Sequence, residues 1–500
     1  MPETGFLKAS GHSPDARAVF DANTGEWFTR AELTRRVTDF AGRLRFPRKA
    51  FGFLFALNNS ESLIAYLAAI QAGHAVAMLN PALDEVLSAR LISLFQPDFI
   101  IAPESHAPLS IRPEESVYRV AESPHAGQLL FRGTAPNRYA IHADLALLIS
   151  TSGSTGSPKL VRLSWGNLES NARQINQALR NTERDRTMIT APIFNGYGQS
   201  VVHTMLLAGG SFALTQARVV SAEFWDAVRQ TESNAIGGTP FFYQTLERLD
   251  LDSLNVPLLK KFVQIGGRLP EHLAMKFHSL AHERGGELHL MYGQAEATAR
   301  ISGLPPELLP EARGSVGFAL PGGRLRVERD GCECAPMEEG ELVYQGPNVM
   351  MGYATCPEDL AKGDELRGVV ATGDLGYRDG RGLFYITGRR SRFVKLYGWR
   401  VSLDEVEELL SHAAPVAAVN HQDRLVIYAE HPGVLFADAV KQLAARLQLH
   451  PSGFEIREID SIPRLANGKV DYRSLACMVH PAPIDTSAAS AADSSSVSSR

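Results

Sequence analysis

The sequence predicts a mixed α/β protein with a large N-terminal domain and a small α+β C-terminal domain. Three observations predict this fold: strand-like apolar runs alternate with helical patterns early in the chain, β-like segments dominate after about residue 310, and a new unit starts near residue 391. Such alternation favours parallel strands covered by helices. We expect domain limits of 1–390 and 391–480, followed by a disordered tail at 481–500.

The first part of the chain supplies the α/β elements. The run SLIAYLAAIQAG predicts a helix that ends at Gly73, and DFIIA and ALLIS predict buried strands. KFVQIGG and LHLMYGQ are apolar runs that end in glycines. Open α/β sheets bind ligands at such strand ends, so we expect the site there.

The later elements differ in kind. RLRVE, GELVYQG and GLFYITG are separated by turns and predict a β-rich subdomain. Ser402, with Glu405 three residues later, predicts a capping box at the start of a helix in the C-terminal domain. The Ala-, Ser- and Asp-rich end lacks large apolar residues, which favours disorder.

Composition and charge exclude several classes of protein. The chain has 500 residues, 44% hydrophobic and 21% charged, with a formal net charge of -5. We therefore expect a soluble protein with no nucleic-acid or membrane partner. The sequence lacks a leader-like start and a long apolar span, which predicts a cytoplasmic location. The four cysteines are too few for a disulfide framework, and Cys332 and Cys334 favour a polar turn over a metal site.

A loop rich in glycine and hydroxyl residues follows the strand ALLIS. It consists of Thr151, Ser152, Gly153, Ser154, Thr155, Gly156, Ser157, Pro158 and Lys159. Small residues allow main-chain N–H groups to turn towards phosphate oxygens, and the lysine adds positive charge, so the loop suits a polyphosphate. Its spacing is not that of a Walker A loop. The alternative interpretation is a flexible surface loop.

This loop resembles the phosphate loop of the adenylate-forming superfamily, which includes acyl- and aryl-CoA synthetases, peptide-synthetase adenylation domains and luciferases. Over most of residues 20–475, six segments match motifs of that superfamily in the same order. Besides the loop they are Tyr292-Gly293-Gln294-Ala295-Glu296, Gly340-Glu341-Leu342 with Gly352-Tyr353, Thr372-Gly373-Asp374, Gly388-Arg389 through Gly398-Trp399-Arg400, and Asn467-Gly468-Lys469.

The resemblance implies an ATP- and Mg²⁺-dependent ligase. A small carboxylic acid would attack the α-phosphorus of ATP, release pyrophosphate and form an acyl-AMP, which then passes to the thiol of CoA or of a carrier-protein phosphopantetheine. Because two anions meet in this reaction, catalysis consists largely of positioning and charge neutralisation. The resemblance assigns catalysis to Lys469, Glu296 and Thr155, the Mg²⁺ contact to Glu296, and a hinge to Ser391.

The resemblance also implies how the nucleotide is held. Asp374 would accept hydrogen bonds from the ribose hydroxyls, and Arg389 would hold the ribose or a phosphate. Taken alone, Asp374 is equally plausible as a turn former, and Lys469 as a solvated lysine. The other expected nucleotide contacts lie in the loop and at the strand ends: Thr151, Ser152, Gly153, Ser154, Thr155, Gly156, Lys159, Gly266, Gly267, Met291, Tyr292, Gly293 and Gln294.

The acyl pocket is expected where APIFNGYGQS and NAIGGTPFF meet the strand ends. Residues 191–200 contain no acidic side chain to pair with an ammonium, which argues against an α-amino acid and favours an uncharged aryl or aliphatic acid. The alternative is that the aromatic residues here are ordinary core residues. The expected pocket residues are Phe194, Tyr197, Gly198, Gly238, Thr239 and Gly266.

Three positions depart from the superfamily pattern. Leu160 stands where glycine is usual, Ala295 where threonine is usual, and Ser391 where aspartate or lysine is usual. These departures lend support to the second of two alternatives to the thiol ligase that stay open. The acyl group could pass to an amine, or the chain could be a nucleotide-binding module without turnover.

Overall fold

We analysed a computed structural model of the chain. It describes residue 6 and residues 12–83, 85–107, 118–122, 128–133, 139–150, 159–390, 392–396, 399–421, 424–446, 454–465 and 468–479. Contacts divide the chain into two compact units, the first formed by residues 1–386 with 467–469 and the second by residues 387–466 with 470–500. The domain limits predicted from the sequence stay predictions.

The first unit contains most of the strands. In chain order they are β1 (Arg17–Asp21), β2 (Glu26–Thr29), β3 (Phe51–Phe55), β4 (Ala75–Leu79), β5 (Phe99–Pro103), β6 (Tyr118–Glu122), β7 (Gln128–Gly133), β8 (Leu145–Ser150), β9 (Leu160–Ser164), β10 (Arg186–Met188), β11 (Ser211–Leu214), β12 (Ala235–Gly238), β13 (Lys261–Gln264), β14 (Glu287–Tyr292), β15 (Ser302–Leu304), β16 (Ser315–Ala319), β17 (Arg324–Arg329), β18 (Cys332–Glu333), β19 (Gly340–Gln345), β20 (Gly352–Ala354), β21 (Val369–Arg378) and β22 (Phe384–Arg389).

The helices of this unit lie between the strands. They are α1 (Arg30–Ala41), α2 (Ser60–Gln71), α3 (Glu85–Phe95), α4 (Trp165–Leu179), α5 (Gly196–Ala208), α6 (Ala222–Gln230), α7 (Pro240–Glu247) and α8 (Glu271–Glu283). The helix predicted from SLIAYLAAIQAG is α2, and Gly73 follows it with φ +82°. Asn59 caps its start by accepting a hydrogen bond from the main-chain N–H of Ser62.

An eight-stranded sheet carries the predicted phosphate loop. Its order is β20-β9-β8-β4-β3-β5-β7-β6, with β8, β4, β3 and β5 parallel. Every residue of β3, β4 and β5 is buried, which explains their continuous apolar sequences. Strands β8 and β9 pair antiparallel, with Ser150 opposite Leu160. The residues that flank the predicted loop, Ser150 and Leu160, are thus fixed to the sheet.

A 14-stranded sheet carries the other strand ends. Its order is β18-β17-β19-β21-β22-β16-β15-β14-β13-β12-β10-β11-β1-β2. The run from β14 through β13, β12, β10 and β11 to β1 is parallel, whereas β14 to β16 and β17 to β19 pair antiparallel. The sheet therefore combines the predicted α/β part with the predicted β-rich part. The mixed α/β fold class is confirmed.

The second unit has its own core and two small sheets. Its elements are β23 (Phe393–Leu396), β24 (Trp399–Ser402), α9 (Leu403–Leu410), β25 (Val416–His421), β26 (Arg424–Glu430), α10 (Val434–Arg446), β27 (Phe454–Ile459) and α11 (Tyr472–Val479). The two sheets are β23-β24 and β25-β26-β27. Ser402 caps α9 by accepting a hydrogen bond from the N–H of Glu405, the first of the two bonds of the predicted capping box. Val406, Leu410 and Ile427 pack in the core. Across the described residues of both units, every helix is too short or too polar to cross a bilayer.

Candidate active site

Three neighbouring parallel strands end at the same edge of the 14-stranded sheet. Gly238 of β12 pairs with Gln264 of β13, and Gln264 pairs with Leu290 of β14. The residues that follow these strands, from Thr239, Gly266 and Gly293 onwards, therefore emerge side by side. This edge is where open α/β sheets bind ligands, and it carries the predicted strand-end residues.

Gly293 allows two chain segments to approach closely at this edge. A Cβ atom on Gly293 would lie 2.0 Å from the carbonyl oxygen of Ala299, a distance that no side chain tolerates. The segment after Tyr292 consequently folds back on itself through a short 3₁₀ turn, Ala295–Ala297. This turn presents Glu296 beside the strand end.

Lys469 reaches the same edge. Residues 467–469 belong to the first unit, and Gly468 has φ +80°, a left-handed conformation that suits glycine in a tight turn. A Cβ on Gly266 would lie 3.7 Å from Lys469 Cε and 3.3 Å from Thr239 Cγ2. The lysine side chain therefore passes along Gly266. A residue with a larger side chain at position 266 would crowd the lysine.

Glu296, Tyr353 and Lys159 form a cluster. The Tyr353 hydroxyl donates a hydrogen bond of 2.8 Å to Glu296 Oε1, and Lys159 Nζ lies 3.4 Å from the centroid of the Tyr353 ring. Burial, together with the nearby charge of Glu296, raises the pKa of Tyr353. The tyrosine thus connects the lysine of the predicted phosphate loop to the predicted Mg²⁺ ligand. The sequence placed Tyr353 in a motif but gave it no role.

A buried asparagine holds the segment that carries Glu296. Asn348 is fully buried, and its Nδ2 donates hydrogen bonds to the carbonyl oxygens of Ala297, at 2.8 Å, and Arg300, at 2.9 Å. Its Oδ1 accepts a hydrogen bond from the Tyr344 hydroxyl, and its carbonyl accepts one from Thr298. Sequence analysis missed Asn348 because all its partners except Tyr344 are distant along the chain.

Asp374 is oriented by the residue at the end of β14. The carboxylate is 3% exposed, and its Oδ2 accepts a hydrogen bond of 2.5 Å from the Tyr292 hydroxyl. The Asp374 N–H donates to Thr372 Oγ1, whose own hydroxyl donates to the Leu342 carbonyl. The Thr-Gly-Asp segment thus fixes the carboxylate rather than serving only as a turn.

The predicted pocket residue Tyr197 lies beside β12. A Cβ on Gly237 would be 2.4 Å from its hydroxyl oxygen, and burial raises the pKa of Tyr197 to about 12. Tyr243 is completely buried, and its hydroxyl has no hydrogen-bond partner within the described part of the chain. Arg300 lies over the Tyr197 ring, with its Cζ atom 5.0 Å from the centroid.

Other predicted residues have packing roles. A Cβ on Gly198 would lie 2.3 Å from the Pro192 carbonyl oxygen, and one on Gly238 would lie 2.5 Å from the Phe242 ring, so both glycines are required by close approach. Phe194 packs against a large apolar cluster. The Met291 side chain is buried in another, so we expect only its main chain to contribute to a nucleotide site.

The remaining predicted positions are placed as follows. Gln294 and Gly267 lie at the strand-end edge, and Gln264 Nε2 donates a hydrogen bond to the Gly267 carbonyl. Arg389 is exposed at the end of β22, a strand that begins in the first unit and continues into the second from Thr387. Thr151, Ser152, Gly153, Ser154, Thr155, Gly156 and the hinge residue Ser391 lie outside the described residues.

Two of the departures from the superfamily pattern are explained by packing. Leu160 is 1% exposed in β9, where its side chain fills the core beneath the eight-stranded sheet. Ala295 packs against a neighbouring core cluster. Both side chains are therefore accommodated in apolar surroundings.

The fold and this edge of the sheet define an enzyme of the adenylate-forming class. A family model described as AMP-binding enzyme matches residues 6–354, and the chain belongs to this family. The family resemblance predicted from the sequence is confirmed.

Several relatives carry the name CoA ligase. A 2-succinylbenzoate–CoA ligase of Bacillus velezensis is 30% identical over 344 residues, which cover 67% of this chain and 69% of that protein. A medium-chain fatty-acid–CoA ligase of Escherichia coli is 28% identical over 348 residues, covering 66% of this chain and 60% of that protein.

Solved structures share the fold. The o-succinylbenzoate CoA synthetase MenE from Bacillus subtilis, in complex with the acyl-adenylate intermediate OSB-AMP, has a TM-score of 0.76 at 23% identity and covers 96% of this chain and 98% of its own. ATP-bound MatB from Rhodopseudomonas palustris also has a TM-score of 0.76 at 23% identity, with coverages of 95% and 98%. The likeness therefore extends over both units.

Proposed function

We propose that this protein uses ATP to convert a small carboxylic acid into an acyl-AMP, with release of pyrophosphate, and then transfers the acyl group to the thiol of CoA. One observation carries this proposal: the Lys469 side chain passes along Gly266, at the edge where Thr239, Tyr292 and Glu296 also emerge. The relatives named CoA ligases support CoA as the acceptor. The thiol of a carrier-protein phosphopantetheine is the second acceptor to test.

The nucleotide would be held by groups from both large sheets. Asp374, oriented by Tyr292, offers a fixed carboxylate for the two ribose hydroxyls. The segment from Thr151 to Gly156, which lies between β8 and β9 in the sequence, would supply main-chain N–H groups and hydroxyls to the phosphates. Lys159 would add positive charge, and Arg389 would hold the ribose or a phosphate.

The residues at the strand edge suit Mg²⁺. This ion prefers oxygen ligands, keeps several waters and commonly uses one or two carboxylates together with phosphate oxygens. Glu296 offers one carboxylate, with Oε1 held by Tyr353, and no cluster of three acidic, histidine or cysteine side chains occurs in the described part of the chain. A single carboxylate beside a polyphosphate therefore fits. When bound, Mg²⁺ would neutralise phosphate charge, and the MenE structure in complex with ATP and magnesium ion supports this role.

The chain's own residues would then lower the barrier by charge placement. The acid's carboxylate and the α-phosphate are both anions, and they must approach within bonding distance. Lys469 would bridge an oxygen of each, so that their repulsion is offset most strongly in the transition state. Loss of one such preorganised group costs on the order of 10²–10³ in rate.

Lys469→Ala tests the catalytic assignment. We expect ATP–pyrophosphate exchange to fall by about 10²–10³, while ATP binding measured by calorimetry changes little. Lys441→Ala is the matched control, because Lys441 lies on α10 with its side chain 78% exposed. Exchange by Lys469→Ala at the native rate would overturn the assignment.

A second assay identifies the acceptor. The acyl-AMP formed in a single turnover is offered CoA, a phosphopantetheine-loaded carrier protein, or an amine, and the product is identified by mass spectrometry. Thioester formation with CoA is the expected result. Amide formation would establish the alternative ligase, and absence of exchange with every acid would favour a nucleotide-binding module.

A further inference from the structure

A buried arginine lies beside the predicted acyl pocket. Arg300 follows the turn that carries Glu296, and it is only 2% exposed. Its Nη1 donates a hydrogen bond of 2.8 Å to Ser200 Oγ, and its guanidinium carbon lies 5.0 Å from the centroid of the Tyr197 ring. Ser200 and Tyr197 both belong to α5, the helix that begins in the predicted pocket segment.

This arginine lacks the anionic partner that buried arginines normally have. Within the described residues, Arg300 forms no ion pair with an acidic side chain, and its Nε is buried without a hydrogen-bond partner. Arg162 provides the contrast: its side chain is also fully buried, but it pairs with Glu365 at 2.5 Å. An unpaired charge in the interior is costly, so a missing anion is the simplest account of Arg300.

Arg300 remains charged where the enzyme would work. Burial lowers its pKa to about 10, which is still well above neutral pH. The cation is therefore retained near pH 7. A neutral polar ligand would leave much of this charge uncompensated, whereas an anion would neutralise it.

The position of Arg300 relates it to the reacting end of the pocket. Thr239 lies beside Gly266 and Lys469. The Tyr197 ring, over which Arg300 lies, is beside Gly237. Gly237 and Thr239 are two residues apart along β12 and its extension, a span of about 7 Å in an extended chain. A group bound by Arg300 would thus be several bonds away from a carboxylate held at Lys469.

We propose that Arg300 binds a second carboxylate of the acid, at the end remote from the carboxylate that is adenylated. The substrate class is then a dicarboxylic acid rather than an uncharged aryl or aliphatic acid. This inference rests on the proposed function, and it adds a specificity-determining residue to it. Ser200 and the Tyr197 ring keep the guanidinium oriented.

The test compares acids that differ only in the second carboxylate. Native protein is assayed by ATP–pyrophosphate exchange with glutaric against pentanoic acid, adipic against hexanoic acid, and isophthalic against benzoic acid. For at least one pair we expect kcat/KM to favour the diacid by about 10²-fold or more, because a site built for a polar group rejects the analogue that lacks it. Equal or better use of every monoacid would overturn the inference.

Two variants assign the preference to Arg300. Arg300→Met removes the charge and keeps most of the side-chain length, so it should lose the preference by raising KM for the diacid much more than KM for the monoacid. Arg300→Lys should restore part of it. Arg313→Met is the control, since Arg313 is half exposed and pairs with Glu271. An equal loss for diacid and monoacid would mean that Arg300 only supports the fold, and would overturn the inference.

A binding measurement separates this inference from the proposed function. Thermal unfolding of native protein and of Arg300→Lys is followed with and without each diacid and monoacid. Stabilisation by the diacid alone, larger in the native protein, is the expected result. If no acid supports exchange, the proposed function fails, and this binding arm still decides the role of Arg300. Equal stabilisation by both acids would refute it.

Discussion

Replacing Tyr353 with phenylalanine should weaken the nucleotide half-reaction without unfolding the site. The change removes the 2.8 Å hydrogen bond to Glu296 Oε1 and keeps the ring beneath Lys159 Nζ. A hydrogen bond to a charged group contributes about 1.5–3 kcal/mol. Because both side chains are partly exposed to solvent, the lower end of this range is appropriate. About 1.4 kcal/mol corresponds to a tenfold effect.

The effect should appear in the dependence on Mg²⁺ and ATP. Without its hydroxyl partner, the Glu296 carboxylate has more orientations available, so we expect kcat/KM for MgATP in pyrophosphate exchange to fall by about tenfold. Tyr353→Leu should lose more, because it also removes a cation–π contact worth about 0.5–2 kcal/mol. Since burial raises the pKa of Tyr353, its hydroxyl stays protonated, and the pH profiles of native protein and Tyr353→Phe should be parallel between about pH 6 and 9.

Tyr428→Phe is the matched control for this experiment. It also removes one hydroxyl hydrogen bond, to the Leu475 carbonyl, but in the core of the second unit. It should lower the unfolding temperature slightly and leave exchange unchanged. If the rate of pyrophosphate exchange by Tyr353→Phe depended on Mg²⁺ and ATP concentration as it does in the native protein, Tyr353 would not position Glu296. That result would refute the reasoning.

Three further changes test other parts of the structure. Asp374→Asn keeps the side-chain size but weakens the contact proposed for the ribose, so KM for ATP should rise by about tenfold. An unchanged KM in an ATP titration would contradict the role proposed for Asp374. Asn348→Ala leaves buried hydrogen-bonding groups without partners around the segment that carries Glu296. The free energy of unfolding should therefore fall by about 3 kcal/mol. An unchanged free energy of unfolding in calorimetry would contradict this role of Asn348. Burial lowers the pKa of His203, which is hydrogen-bonded to Tyr66, to about 3, below the value of about 6.5 in the unfolded chain. Only the unfolded chain therefore takes up a proton at His203 as the pH falls below 6.5, so the free energy of unfolding should decrease by about 1.4 kcal/mol per pH unit. Replacing both His203 and Tyr66 with phenylalanine should flatten the decrease in unfolding temperature between pH 7 and 5.

Local patterns predicted the strands that build the site. The apolar runs of β8, β13 and β14 are buried on a parallel sheet, and burial on both faces is recorded directly in their sequence. Gly293 and Gly468 were also visible as motif members, and their reasons are local: a close main-chain approach and a left-handed turn. Features of this kind need only a short stretch of chain.

Contacts between distant segments could not be predicted in the same way. The bond between Tyr353 and Glu296 joins residues 57 positions apart, and the bond between Arg300 and Ser200 joins residues 100 positions apart. An isolated tyrosine after glycine, or an isolated arginine four residues after a glutamate, has no periodic signature. Only the pairing of strands and helices brings such partners together.

The charge of the acyl pocket illustrates the same limit with a consequence for function. Residues 191–200 contain no carboxylate, and this segment alone argues against an ammonium group on the substrate. It does not follow that the predicted pocket is neutral, because Arg300, from a different segment, carries a positive charge over the ring of the predicted pocket residue Tyr197. A pocket that has no carboxylate in this segment, and that has the guanidinium of Arg300 at the place we propose, should select anions. The preference for substrate charge therefore depends on the sum of charges from all the segments that meet at the acyl pocket. A charge count for one segment can exclude a substrate class, but it does not identify the class that binds.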